Sequence, residues 1–265
     1  MTTNPFLERL HEGQPTFMLG IRHSRTTDIC RIAKSTGHHA IMVDLEHSTM
    51  SLDTAAALCS AAGDLGLTPF VRVPEREYGA IGRLLDAGAH GIVAPRIETP
   101  DEARTIARAS RFAPRGQRSQ LATVPQLGMT PTPASTLNPA LDRATITQIL
   151  IETPAGVAAA DEIAGVDGVD MLAIGANDLT AELGIHGQYG HLLVREAVAA
   201  LAEACRNHGI PLQLGGIADP ALFESLAALG AAPLYLTGMD TDLLHSAARA
   251  RVETLTAAHR ELTTR

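Results

Sequence analysis

Two carboxylates and an imidazole close a short apolar run at Val43-Asp44-Leu45-Glu46-His47. Buried strands read as apolar runs of about 4–8 residues bounded by polar ones. Charge at the exit of such a strand resists burial unless it is paired or metal-bound. Residues of similar character end other runs: Arg72 in Phe70-Val71-Arg72-Val73-Pro74, Glu152 after Gln148-Ile149-Leu150-Ile151, and Asp178 after Ile174-Gly175-Ala176-Asn177. Carboxylates suit hard divalent cations, and a pair of them leaves positions open for substrate oxygens or water. Glu152 and Asp178 are the candidates for that role. The competing reading makes them helix caps or first-turn acids. Arg72, always charged and flanked by valines, needs either a buried carboxylate or a bound anion. Histidine as a residue type changes charge near neutrality, so His47 fits a general base, or else a hydrogen-bonded structural residue. The other histidines show no metal-ligand spacing.

These residues share a site only if their strands end on one side. The chain alternates short apolar runs with helical patterns at a repeat of roughly 25–30 residues, the mark of a parallel sheet. After an amphipathic lead at Phe6–Leu10, strands are expected at Thr16–Ile21, Ala40–Asp44, Thr68–Pro74, Gly91–Pro95, Gln148–Glu152, Asp170–Gly175, Pro211–Leu214 and Leu234–Thr237. Helices are expected at Asp28–Ala33 (ending at Gly37), Ser51–Leu65 with Ser51 as cap, Tyr78–Ala87, Pro100–Ala109, Gly156–Ile163, His191–His208, Pro220–Leu229 and Asp242–His259. Between Arg111 and Asp142 the rhythm breaks in a proline-rich stretch, read as a long loop serving as a lid, a subunit contact or a mobile insertion. Eight strands with intervening helices predict an α/β fold, a single (β/α)8 barrel domain over residues 1–265. A doubly wound sheet is the alternative, but no GxGxxG opens a helix after the first strand.

Bulk properties fit. The 265 residues are 45% hydrophobic, enough for a sizeable core, and with 3% aromatic residues and no Trp that core is built from Ala, Leu, Ile and Val. A net charge of −8 argues against a nucleic-acid partner, which needs a basic face. Cys30, Cys59 and Cys205 are far apart in sequence and read as small buried hydrophobes in a reducing compartment. With neither a signal-peptide pattern nor a membrane-length apolar run, a cytoplasmic protein without membrane contact is expected.

Taken together, the motifs resemble the HpcH/HpaI aldolase family, the metal-dependent class II pyruvate aldolases typified by 4-hydroxy-2-oxoheptanedioate aldolase. Asp44-Leu45-Glu46-His47 resembles the family's D-x-E-H, and Val71-Arg72-Val73-Pro74 its V-R-x-P. Arg83-Leu84-Leu85-Asp86-Ala87-Gly88 resembles R-L-L-D-x-G, and Ile151-Glu152-Thr153 matches I-E-T. Ile174-Gly175-Ala176-Asn177-Asp178-Leu179-Thr180 is similar to I-G-P-x-D-L-S, and Gly238-Met239-Asp240-Thr241-Asp242-Leu243-Leu244 to G-x-D-x-x-L-L.

The resemblance implies a barrel of the phosphoenolpyruvate/pyruvate type, with its last helix exchanged between subunits of a homohexamer. It implies that Glu152 and Asp178 hold a divalent cation (Mg²⁺, Mn²⁺ or Co²⁺). The carboxylate of a 2-oxo acid would meet the backbone at Ala176, Asn177 and Asp178. Arg72 would stabilise an enolate oxygen, and His47, oriented by Asp86, would transfer protons. Asp44 and Glu46 would be supporting acids. The implied reaction is reversible cleavage of a 4-hydroxy-2-oxo acid to pyruvate or hydroxypyruvate plus an aldehyde. A citrate-synthase-like condensation using oxaloacetate, or a non-catalytic binding barrel, are the alternatives. The only lysine, Lys34, falls in the first helix, which argues against Schiff-base chemistry. Three departures bear on acceptor specificity. Leu150 stands where the family commonly has Gln, Gly116-Gln117-Arg118-Ser119-Gln120-Leu121 replaces G-x-R-G-x-G, and Ala176 replaces Pro. Arg22 and Arg118 are candidates to read a second substrate carboxylate.

Overall fold

The computed structural model describes residues 4–263. A closed barrel of eight parallel strands runs in chain order: β1 (Thr16–Ile21), β2 (Ala40–Asp44), β3 (Thr68–Arg72), β4 (Gly91–Ala94), β5 (Ile146–Ile151), β6 (Met171–Gly175), β7 (Leu212–Gly215) and β8 (Leu234–Met239). In such a barrel every strand exits at the same face, so the charged exits converge. Two apolar layers hold the barrel together. Outward residues such as Ile41, Val43, Val71, Ile149 and Ile174 pack under the helices. Inward residues such as Met18, Met42, Phe70, Leu150 and Met171 fill the lumen.

The N-terminal mouth is plugged. The helix α1 (Pro5–His11) buries Phe6 and Leu10 there, with the Phe6 ring 4.9 Å from that of Phe70. Gly91 makes room, since a Cβ there would lie 2.1 Å from the Phe70 ring.

The outer helices begin with α2 (Asp28–Ser35) and α3 (Leu52–Asp64), the latter capped by Ser51, whose hydroxyl accepts from the Thr54 N–H at 3.2 Å. Three expected segments differ. The stretch expected as one helix from Tyr78 to Ala87 opens with a tight 3₁₀ turn at Tyr78–Ala80, leaving α4 only Ile81–Asp86; glycines 79 and 82 weaken its first turns. After α5 (Pro100–Ser110), the irregular stretch contains α6 (Ala134–Ala144), which accommodates Pro139 inside it. Phe112, Val124, Leu137 and Leu141 form a small core that ties this stretch down. The helix expected over Gly156–Ile163 is divided at Ala159 into α7 (Pro154–Ala158) and α8 (Ala160–Ala164).

A helix given no range in the sequence reading, α9 (Ala176–Glu182), follows β6 directly and makes Asp178 a first-turn acid, the alternative weighed for that residue. Then come α10 (Leu192–His208), α11 (Pro220–Ala227) and α12 (Asp240–Thr263). The last is longer than expected and leaves the barrel, with Leu244, Val252, Leu255 and Leu262 exposed. No helix of the described residues is long and apolar enough to cross a membrane.

Candidate active site

A cavity of about 670 Å³ takes in the open C-terminal mouth and extends to Phe17, Phe223 and Tyr235 outside the barrel; at the mouth it is lined by Arg22, His47, Arg72, Glu152 and Asp178, with residues 175–177 on one wall. Behind Arg72 is Asp44, the last residue of β2 and fully buried. Register pairs Asp44 with Arg72 on the neighbouring strand, which brings the two side chains together. Arg72 donates from Nε at 3.0 Å and from Nη2 at 2.6 Å. The Arg22 Nε adds a bond at 3.3 Å, and the N–H groups of Glu46 and His47 add two more at 3.1 and 3.2 Å. Burial alone would raise the Asp44 pKa, but the Arg72 bonds and charge outweigh it and hold the carboxyl below its ordinary value. Burial likewise opposes the charge on Arg72, and Asp44, Glu46 and Glu152 reverse that effect. Glu46 lies 3.1 Å from Arg72 Nη1, yet burial leaves its carboxyl raised. His47 is exposed on the loop after β2, its Nε2 3.8 Å from Glu46.

Across the mouth, Glu152 follows β5. It is buried, and its pKa is pushed up to about 8, first by burial and then by the charges of Glu46 and Asp178. Its Oε2 accepts the Arg96 N–H at 2.9 Å. Arg96 adopts φ 54°, an uncommon conformation for a non-glycine residue and one often held at functional sites. The other oxygen lies against Gly175, where a Cβ would come within 2.6 Å of Oε1. Asp178 sits exposed in the first turn of α9, whose leading N–H groups lack intrahelical partners. The donor set fits a hard divalent cation: two oxygen ligands, one of them a buried carboxylate crowded by other carboxylates. Among the described residues, no group of three or more His, Cys, Asp or Glu side chains is placed to hold a metal. A cation here would depend on Glu152, Asp178 and non-protein oxygens.

The geometry separates the expected residues. His47, Arg72, Ala176, Asn177, Glu152 and Asp178 all line one cavity. Asp86 does not. It ends α4, and helices of this barrel run back toward the plugged face, so within one chain it stands at the opposite end from His47. Its carboxylate accepts from Arg118 Nη2 at 2.8 Å. Sequence reasoning missed Gln148 and Gln213, two buried lumen residues joined by a 2.5 Å bond on the cavity floor. The signal was available, because inward positions 148, 150 and 152 alternate along one strand. Arg96 left no comparable signal, since its contribution is a backbone N–H.

Known proteins resemble the chain over most of its length. The family model described as HpcH/HpaI aldolase/citrate lyase matches residues 22–247. The chain is 37% identical over 216 residues to a 4-hydroxy-4-methyl-2-oxoglutarate aldolase of Hapsidospora irregularis, covering 81% of this chain and 80% of the relative. It is 32% identical over 246 residues to a hydroxypyruvate/pyruvate aldolase of Rhizorhabdus wittichii, covering 90% and 93%. The crystal structure of an HpcH/HpaI aldolase from Desulfitobacterium hafniense superimposes with a TM-score of 0.88 at 26% identity, covering 96% and 97%.

Proposed function

The chain belongs to the HpcH/HpaI aldolase/citrate lyase family, and we propose that it is a divalent-cation-dependent aldolase. Its substrate would be a 4-hydroxy-2-oxo acid, cleaved reversibly to pyruvate or hydroxypyruvate and an aldehyde. The observation that carries this reading is Glu152, a carboxylate raised to about 8 first by burial and then by the charges of Glu46 and Asp178, in a cavity that also presents Arg72.

Cleavage breaks the C3–C4 bond. Its electron pair passes toward the C2 carbonyl oxygen, the C4 hydroxyl loses its proton, and C4 departs as a carbonyl carbon. A proton returned to C3 completes pyruvate. Arg72 would donate to the C2 oxygen as charge grows there. Asp44 already fixes the Arg72 guanidinium, so little reorganisation is needed at that moment. His47 would accept the C4 hydroxyl proton, and the N–H groups of Asn177 and Asp178 would receive the substrate carboxylate. A divalent cation held by Glu152 and Asp178 would supply Lewis acidity toward the 2-oxo acid. The sole lysine, Lys34, lies on α2 and does not line the cavity, which supports chemistry without an imine.

The test is a panel of aldehydes mixed with pyruvate or hydroxypyruvate, with EDTA and then with added Mn²⁺. Aldol product that vanishes with EDTA and returns with Mn²⁺ is expected. Product indifferent to EDTA would remove the cation from the proposal, and no product from any pair would remove the aldolase.

The same reading includes a homo-oligomer, with a hexamer as the expected size. Its support is the exposed apolar side chains of α12 and the exposed Phe17 of β1, whose ring lies 5.5 Å from that of Tyr235 on β8. Asp86 would reach His47 only from a neighbouring copy. Sedimentation of the full chain as a monomer would sink this part.

A further inference from the structure

The sequence leaves two arginines as candidate readers of a second substrate carboxylate, and the structure separates them. Arg118 is buried outside the barrel, bonded to Asp86 and lying 4.5 Å over the Phe112 ring. It does not line the cavity. Arg22 does, just beyond β1 and on the same wall as Arg72.

The loop bearing Arg22 is fixed. Asp240, the first residue of α12, accepts from the N–H groups of Arg22 at 3.0 Å, His23 at 3.2 Å and Ser24 at 2.7 Å. The side chain is fixed at one nitrogen, Nε, by Asp44 Oδ2. Among the described residues nothing accepts from its two terminal nitrogens; Asp242 lines the same cavity but makes no bond to it. One carboxylate, Asp44, therefore stands between two guanidiniums, and the second keeps its outer donors for a ligand.

We propose that Arg22 reads a second carboxylate carried on or next to C4 of the substrate, so that the carbonyl fragment released is itself an acid. The inference rests on the aldolase reading. Reach selects the position of that carboxylate. Arg72 Nη2 and Arg22 Nε contact the same Asp44 oxygen, which keeps them within about 6 Å of each other, two hydrogen-bond lengths. With Arg72 at the C2 oxygen, a carboxylate on C4 or the next carbon falls within Arg22's range. One at the end of a longer chain does not. A planar guanidinium with free terminal nitrogens matches a carboxylate bidentately.

The test compares two substrates in one preparation: 4-hydroxy-4-methyl-2-oxoglutarate, with a carboxylate on C4, and 4-hydroxy-2-oxopentanoate, with hydrogen there. The Mn²⁺-loaded parent is expected to favour the first. Arg22→Leu should lower the ratio of the two kcat/KM values about a hundredfold, with Arg22→Lys recovering part of it. If Arg22 only braces Asp44, both substrates fall together and the ratio stays put, which overturns the proposal. Because the ratio is taken within one variant, loss of folded protein cancels. Exchange of pyruvate methyl protons in D₂O by the loaded parent checks the underlying reading separately. No exchange overturns the aldolase; exchange with an unchanged ratio overturns only the role of Arg22.

Discussion

Two salt-bridged guanidiniums, Arg111 buried and Arg72 half-buried, mark the two ends of this barrel, and they are used in opposite ways. At the plugged end, Arg111 donates to Asp170, to the carbonyls of Thr145 and Gly168 at 3.3 and 3.4 Å, and to the Thr147 hydroxyl at 3.3 Å. Asp170 in turn takes the Thr147 N–H at 2.6 Å. Those bonds join the starts of β5 and β6 to the end of α5, and none of the residues that make them lines the mouth cavity. At the open end, Arg72 is clamped as tightly by Asp44, but around it stand Glu46, Glu152 and Asp178, with Glu152 left near 8. A buried ion pair by itself therefore says little about function. What marks the mouth is charge that the chain does not balance internally and that opens onto a cavity.

Variants at the two ends should separate along that line. The largest effect is expected from Arg72→Lys, which keeps the charge but loses the fork. Turnover should fall about a thousandfold in steady-state assays while the thermal midpoint moves little. Equal loss of stability and turnover would make the mouth pair another closed clamp. Arg72→Ala is the poorer probe, because it strands the fully buried Asp44 with Arg22 alone.

Next, Glu152→Gln should weaken Mn²⁺ binding by calorimetry at least about a hundredfold, since even supporting residues around a metal cost tenfold or more. The parent's affinity carries a sign. Glu152 binds its proton more tightly when folded, so without metal its contribution to stability is full below the ordinary carboxylate range and is lost as pH rises through about 8. Cation binding must expel that proton. Stabilisation by Mn²⁺ should accordingly grow with pH up to about 8, and the Gln variant should flatten the dependence. A pH-independent affinity in the parent would contradict the ligand assignment.

At the other end, Arg111→Met should cost about 3 kcal/mol in denaturant unfolding, because Asp170 loses its partner. Turnover per folded molecule should stay within about twofold of the parent, as the clamp shares no partner with the residues at the mouth. Lost turnover in folded protein would erase the distinction between the ends. The smallest effect is expected from Gly175→Ala. Its methyl would press on Glu152 Oε1 and weaken Mn²⁺ binding about tenfold, consistent with an indirect disturbance of a ligand.

Much of this was legible in the sequence because strand periodicity and strand exits carry it. Eight apolar runs placed the eight strands, and Asp44, Arg72 and Glu152 lie at or just beyond strand ends. Asp178 fell in the first turn of a helix that no cap residue announced, since Gly175 precedes it without a side-chain cap. Pro139 disguised α6 as loop. The partner of Arg72 was open between a protein carboxylate and a bound anion, and only strand register could show that Asp44 fills that place. Asp86 fails within one chain for a topological reason: its motif matches, but the helix carrying it runs away from the mouth.

The latch at Asp240 has a consequence for how the molecule comes into being. It ties the loop after the first strand to a residue 218 positions later, one of the longest loop closures the chain makes. Contacts of such separation cost the most chain entropy and form late. A nascent chain emerging from the ribosome can therefore assemble Asp44 and Arg72 from neighbouring strands well before Arg22 is held. The loop that carries the guanidinium proposed to select the substrate is latched only when the last strand closes the ring.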